Sequence, residues 1–362
     1  MPERKQRMKR KLNHGGDWAG FKEEFGYDPL DFSMNVNPMG MPDAVRKAIA
    51  DSAADVWKYP DPLCRRLVDA IAEYEHCSSE HVLCGCGAAD IIYRAVLAEA
   101  PTRALVTAPT FGEYEEALSL TGCEVISYML RENSNFRIGE DILEYIEETV
   151  DMVFLCEPNN PTGVTTDRKL LEKIIEKCGE TGTRLIVDEC FNDFLENPEM
   201  HSLKGYIEKS DRLLILKALT KNFSMAGVRL GYCLCSDRIA LERMRRSGQP
   251  WPVSVLAQNA GIAAFECADR LADLGKVTAV ERRYLLGEMR KTGLNPVESE
   301  ANYILFKAET GLESYLRNKG ILIRNCSNYR GLGEGWFRTA VRTRKENEKL
   351  IEEMRSWANE KD

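Results

Sequence analysis

Met152-Val153-Phe154-Leu155-Cys156 is apolar at every position, and this run constrains the chain more than any other feature. A strand with one wet face alternates apolar and polar residues. An unbroken run suits a strand covered on both faces, as in a parallel sheet between two layers of helices. Leu185-Ile186-Val187, Leu213-Leu214-Ile215-Leu216 and Tyr232-Cys233-Leu234-Cys235 repeat the pattern, and Ala104-Leu105-Val106-Thr107 and Val125 to Met129 add further strands. Between them Glu113 to Leu120 reads as a helix. In the next helix Leu170, Leu171, Ile174, Ile175 and Cys178 share one side, with Asp167 in the first turn. This alternation predicts an α/β protein with a mostly parallel sheet flanked by helices.

After Pro250-Trp251-Pro252 the pattern turns helical, and strand candidates return only at Tyr303-Ile304-Leu305-Phe306 and Ile321-Leu322-Ile323. A smaller α+β lobe is expected there, joined by the N-terminal arm. The predicted division is residues 1–40 (arm and part of the small lobe), 41–240 (large domain) and 241–362 (small domain), which the length of 362 residues allows.

Several partners are excluded by composition. No apolar run approaches the roughly 18 residues that a membrane span needs, and the basic start, Arg4 to Lys11, lacks the apolar stretch of a signal peptide, so a cytoplasmic protein is expected. That basic run reads as a solvated arm. The net charge of -8 argues against a nucleic-acid surface. Twelve scattered cysteines without CxxC spacing, and only four histidines, point to reduced structural thiols and no metal site.

Chemistry in such sheets gathers where strands end. Four strand ends carry unusual polar groups. Cys84-Gly85-Cys86-Gly87-Ala88-Ala89-Asp90 opens a helix with small residues, which leaves backbone N–H groups accessible to a phosphate; as a plain tight turn it would be equally ordinary. It half-matches a dinucleotide fingerprint, but Asp90 replaces the third glycine and would set a negative charge against a pyrophosphate. Pro158-Asn159-Asn160-Pro161-Thr162-Gly163, taken alone, is a turn. Asp188-Glu189 ends a buried strand, where a carboxylate caps a helix, holds a metal or meets a cationic ligand. Lys221 follows an apolar strand and precedes Arg229 by eight positions. A lone lysine there is usually a snorkelling surface residue. A lysine to form an imine, an arginine to clamp a phosphate and an aspartate to pair with a pyridinium are together what pyridoxal phosphate demands.

Asn-Asn-Pro-Thr-Gly, then Val-Asp-Glu, then Leu-Thr-Lys with Ala-Gly-Val-Arg-Leu-Gly-Tyr, in this order and spacing, resembles the fold-type I aminotransferase superfamily over nearly the whole chain. The resemblance implies a seven-stranded sheet in the large domain and pyridoxal 5'-phosphate as cofactor. By it, Lys221 would carry the cofactor as a Schiff base, Asp188 would pair with the ring nitrogen, Asn160 would contact the ring's phenolic oxygen and Phe111 would stack on the ring. Gly87, Ala88, Ala89, Thr220 and Arg229 would hold the phosphate. Tyr59 matches a tyrosine that reaches the phosphate from a partner subunit, so a homodimer is implied.

Two branches of the superfamily are nearest: histidinol-phosphate aminotransferases and the threonine-phosphate decarboxylases of cobalamin synthesis. Both take phosphorylated amines. Three features resemble the decarboxylases: the opening His14-Gly15-Gly16-Asp17 with Leu30 to Pro38, Phe191 where the aminotransferases usually carry a tyrosine, and the block Trp336 to Arg344. That branch implies decarboxylation of L-threonine O-3-phosphate to (R)-1-amino-2-propanol O-2-phosphate, with serine phosphate as an alternative substrate. By the same resemblance His14, Gly15, Asn35, Asn160, Arg324 and Arg338 would contact it. Arg338 is expected on the carboxylate, and Arg324, His14 and Asn35 on the phosphate. Each arginine taken singly would be a surface ion pair. Ala218 and Glu157 depart from the family pattern, the first where a hydroxyl is common and the second where asparagine is. A nicotinamide dehydrogenase resting on Gly85-Cys86-Gly87, and a binding protein without catalysis, are the rival classes.

Overall fold

A computed structural model describes residues 14–360, so the basic run Arg4 to Lys11 lies outside the described residues. Seven strands build the large sheet: β1 (Val82–Gly85), β2 (Arg103–Ala108), β3 (Glu124–Met129), β4 (Met152–Cys156), β5 (Arg184–Asp188), β6 (Leu213–Ala218) and β7 (Gly231–Leu234). Their spatial order is β1-β7-β6-β5-β4-β2-β3. All pairings are parallel except those of β7, which runs antiparallel to both β1 and β6. The reversal has a local cause. Parallel neighbours need a long crossover, usually a helix, whereas residues 219–230 between β6 and β7 hold only the single helical turn Leu219–Asn222.

Both faces of the sheet are covered, as the apolar runs require. Along β4, Val153 and Leu155 pack into one buried cluster while Met152, Phe154 and Cys156 pack into another on the opposite side. Each such side chain contributes about 1.5–3 kcal/mol when fully buried. The helix Arg168–Thr181 buries the five residues expected of it, and Asp167 is its cap rather than part of its first turn, accepting from the N–H groups of Lys169 (3.0 Å) and Leu170 (3.3 Å). The helix Val255–Glu266 packs on Asp43–Ser52 and Arg65–Glu75, and its Ala257, Ala260, Ala263 and Ala264 share a core with Leu67 and Ile71. The large core therefore continues past residue 240.

The small lobe has a four-stranded antiparallel sheet of β8 (Asn295–Pro296), β9 (Tyr303–Lys307), β10 (Arg324–Asn325) and β11 (Trp336–Ala340), in the order β10-β11-β9-β8. Its core includes Phe32, Leu285, Ile304, Phe306, Phe337 and Leu350. Two strand candidates were expected in this half of the chain, and the structure corrects that reading. β11 lies inside the sheet although Arg338 and Thr339 interrupt its apolar pattern, because both are buried there with hydrogen-bonding partners. The run Ile321–Ile323 splits: Ile321–Leu322 pairs in parallel with Leu30–Asp31 of the N-terminal segment, and the chain then enters β10. Phe32 O accepts from Ala340 N (2.8 Å), which ties the same segment to β11.

Candidate active site

The C-terminal ends of β4, β5 and β6 open onto a cavity of about 420 Å³. The turn Leu219–Asn222 puts Lys221 into it, and burial pushes the lysine pKa down to about 8, helped by the Arg338 and Arg229 cations. Its Nζ lies 5.6 Å from the centroid of the Phe191 ring. Asp188 ends β5 in the same cavity. One of its oxygens accepts from Tyr114 OH (2.8 Å) and the other from Cys190 N (3.0 Å), so a buried carboxylate is held in one orientation. The Tyr114 hydroxyl is pushed well above its ordinary pKa, chiefly by burial and then by Asp188, so it donates.

The two acids at the end of β5 part company. Glu189 turns into a polar cluster inside the protein, where it accepts from Ser202 Oγ and Leu203 N (2.7 Å each) and lies 3.4 Å from Lys217 Nζ. The two asparagines divide in the same way. Asn159 braces the turn, bonding Thr110 Oγ1 (2.7 Å), Pro109 O (3.0 Å) and Thr162 Oγ1 (2.9 Å), so the turn reading is right for it. Asn160 lines the cavity and accepts from Arg338 Nη1.

Gly87 opens the helix Gly87–Glu99. A methyl group on it would come within 2.8 Å of Arg229 Nη2, and one on Gly231 within 2.6 Å of Ala88 N. Only glycine allows this approach, which sets the Arg229 guanidinium beside the free N–H groups of a helix start. Arg229 itself is held at φ +61. Asp90 turns back onto the protein, where it accepts from Cys86 N (2.9 Å) and pairs with Arg94 (3.0 Å). Ala88, Ala89, Thr220 and Phe111 line the cavity with Arg229.

The expected substrate residues converge as well. His14, Gly15, Asn35, Arg324 and Arg338 all border the cavity. Asn35 Oδ1 is buried and bonds nothing within the described residues. Arg338 also donates to Ser33 O (3.1 Å), and Arg324 Nη2 donates to Asn328 Oδ1 (2.8 Å). Tyr59 is the exception among the expected residues, being 80% exposed and stacked on Trp251 at 4.7 Å, in a separate surface depression. Residues to which no role was assigned also take part. Glu113 and Tyr114 were expected only as part of a helix, while Tyr329 and Cys190 line the cavity with no signal in the sequence.

Residues 27–354 match the model of the family of class I and II aminotransferases. The chain belongs to that family. Among curated relatives, this aminotransferase-family chain is 34% identical to the threonine-phosphate decarboxylase of Salmonella typhimurium over 350 residues, 95% of this chain and 96% of that one. It is 30% identical to an adenosylcobalamin biosynthesis bifunctional protein of Leptospira interrogans, covering 94% of this chain and 40% of that longer protein. Among solved structures, the histidinol-phosphate aminotransferase of Clostridium acetobutylicum superposes with a TM-score of 0.85 at 27% identity, over 91% of this chain and 99% of that one.

The fold is therefore that of the fold-type I enzymes, and the cofactor is the family's pyridoxal 5'-phosphate. The residues present fit it. Arg229 beside an open helix start suits a phosphate, and a buried lysine with a depressed pKa next to a fixed carboxylate suits an aldehyde carried on a basic ring.

Proposed function

We propose that this enzyme decarboxylates L-threonine O-3-phosphate to (R)-1-amino-2-propanol O-2-phosphate, a step of cobalamin biosynthesis. One observation carries the reading: Arg324 on β10 and Arg338 on β11 are register partners, both buried, and both border the cavity of Lys221. Like charges directly opposite each other repel, so the arrangement favours a substrate with two anionic ends. Threonine phosphate has a carboxylate and a phosphate. The similarity to the Salmonella and Leptospira proteins supports the same reading.

Pyridoxal phosphate, when bound, would supply an electron sink for the substrate's amine-bearing carbon. The rest falls to side chains. Lys221 supplies the amine that holds the cofactor and, at pH near 8, exchanges a proton readily. Asp188, held in one orientation by Tyr114 and Cys190 N, would pair with the ring nitrogen. Arg229, Thr220 and the backbone at Gly87, Ala88 and Ala89 would hold the cofactor's phosphate, Phe111 would lie against its ring and Asn160 would meet its oxygen. The residue that grips the carboxylate fixes how the substrate is turned in the cavity, and so selects which of its bonds breaks. We assign that grip to Arg338, and the substrate phosphate to Arg324, His14 and Asn35. Phe191 brings no hydroxyl to the cavity and packs edge-on against Tyr303 at 4.9 Å.

We further propose a cytoplasmic homodimer. Exposed Val56, Trp57, Tyr59 and Leu63 form an apolar stretch that a second copy would cover, with Tyr59 reaching the partner's cofactor. Twelve free cysteines suit a reducing compartment. Histidinol-phosphate aminotransferase is the second reading, favoured by the superposition on the Clostridium enzyme. Serine phosphate stays close to threonine phosphate because one methyl group is worth only about 1–3 kcal/mol. Incubating the holoenzyme with threonine phosphate, and separately with histidinol phosphate plus 2-oxoglutarate, decides among them. Carbon dioxide and aminopropanol phosphate are expected from the first; glutamate from the second would overturn the proposal.

A further inference from the structure

Three separate elements meet at the cavity mouth on one carboxylate. Glu113, the first residue of the helix Glu113–Ser119, has one oxygen 2.8 Å from His14 Nε2 of the N-terminal segment and accepts on the other from Tyr93 OH (3.0 Å) of the helix Gly87–Glu99. Its side chain is 18% exposed against 58% for His14, so the carboxylate is the fixed member of the pair. The His14 bond, and then the Tyr93 bond, hold its carboxyl below the usual range against the effect of burial. Burial, then Glu113, pushes Tyr93 up to about 12, so Tyr93 stays a donor.

A carboxylate at the mouth of a site for a dianion should repel its ligand. It does not face the cavity as a bare charge, because His14 Nε2 lies against one oxygen at 2.8 Å. That leaves Nδ1, which bonds nothing within the described residues, as the second nitrogen of the ring. His14 borders the main cavity and two adjoining hollows, as Arg324 does, so the imidazole stands where the three join. The neighbouring residues of Glu113 are already committed: the Phe111 ring lies 6.1 Å from that of His14, and Tyr114 bonds Asp188.

We infer that Glu113 is a positioning residue for the substrate's anionic end, holding His14 so that its second nitrogen faces the phosphate monoester of the bound amine. This rests on the assignment of His14 to the phosphate made above. The alternative is an ordinary surface ion pair, which would act on nothing beyond itself. The Tyr93 brace and the low exposure of Glu113 argue otherwise.

The test is a double-variant cycle on the holoenzyme, read by calorimetric affinity for threonine phosphate and for unphosphorylated threonine. Glu113→Gln is expected to weaken threonine phosphate about 5- to 10-fold, to leave threonine unchanged, and to raise KM with little effect on kcat. In a His14→Ala background it should have no further effect, and Glu113→Asp should restore part of the affinity. Equal loss for both amines, or an undiminished effect without His14, overturns the inference. If the unsubstituted holoenzyme shows no preference for phosphorylated amines, the substrate reading falls and this inference with it. A preference that Glu113→Gln retains in full overturns this inference alone. Should histidinol phosphate be the preferred amine, the same cycle with histidinol phosphate and histidinol decides it.

Discussion

Arg324 and Arg338 stand opposite each other in register on neighbouring antiparallel strands, and both border the cavity that holds Lys221. Arg338 Nε is buried and bonds nothing within the described residues, while its Nη atoms reach Asn160 and Ser33. Truncating one partner of a buried charged contact costs about 2–5 kcal/mol. Arg338→Ala should therefore lower kcat/KM for threonine phosphate by roughly 30-fold to several thousand-fold, and unchanged steady-state kinetics would remove Arg338 from the site. Arg324→Ala should weaken threonine phosphate far more than threonine in the same assay.

Asp188→Asn should reduce turnover much more than cofactor retention, because the amide keeps the shape but not the charge beside the ring nitrogen. Comparing cofactor absorbance after dialysis with kcat separates the two. Tyr114→Phe removes one of the two hydrogen bonds seen on Asp188, and a smaller loss, about tenfold or less, is expected from a bond worth about 1.5 kcal/mol.

Capture of the cofactor by the cofactor-free protein needs neutral Lys221, so its rate should rise with pH and reach half its maximum near pH 8. Arg338 is the largest cause of that lowered pKa after burial, so Arg338→Ala should move the midpoint upward and slow capture at pH 7.5. Stopped-flow absorbance measures both. The ordinary lysine value is 10.5, so between about pH 8 and 10.5 the unfolded chain binds more protons at this site than the folded one. In that window this group alone favours folding increasingly as pH rises.

Glu157 is buried beside the cofactor-bearing edge of the sheet, bonded to Thr166 through its N–H (2.9 Å) and its hydroxyl, and burial raises its pKa from 4.5 to about 7. A raised carboxyl favours folding fully below about pH 4.5, and that contribution is lost as pH climbs to about 7. Glu157→Gln keeps an acceptor for Thr166 and cannot ionise. Relative to the unsubstituted protein it should gain stability as pH rises from 5 to 7.5, by up to about 3 kcal/mol, and urea unfolding at the two values checks this. The same bonds account for an acid where asparagine was expected.

Legibility followed chain proximity. Lys221, Asp188, Asn160 and Arg229 stand in compact blocks whose residue types have few other uses together, and all four border one cavity. The β11 strand was not legible, because the buried Arg338 and Thr339 that make it useful also break its apolar pattern. Which acid of Asp188-Glu189 faces the cavity, and which asparagine of Asn159-Asn160, depends on strand pleat and turn geometry. Adjacent positions point to opposite sides. The Tyr114 bond to Asp188 joins residues 74 apart, and the Glu113 contact with His14 ties the large lobe to the N-terminal segment, so neither leaves a local trace.

The origin of the groups around the cavity has an evolutionary consequence. Lys221, Asp188, Thr220 and Arg229 descend from the large sheet, whereas His14, Asn35, Arg324 and Arg338 belong to the N-terminal segment and the small-lobe strands. With the roles proposed above, a lineage would change its substrate by rewriting two short stretches, roughly 14–35 and 324–342, and keep its coenzyme apparatus untouched. The handshake between Arg338 and Asn160 is the point at which the two inheritances must stay compatible.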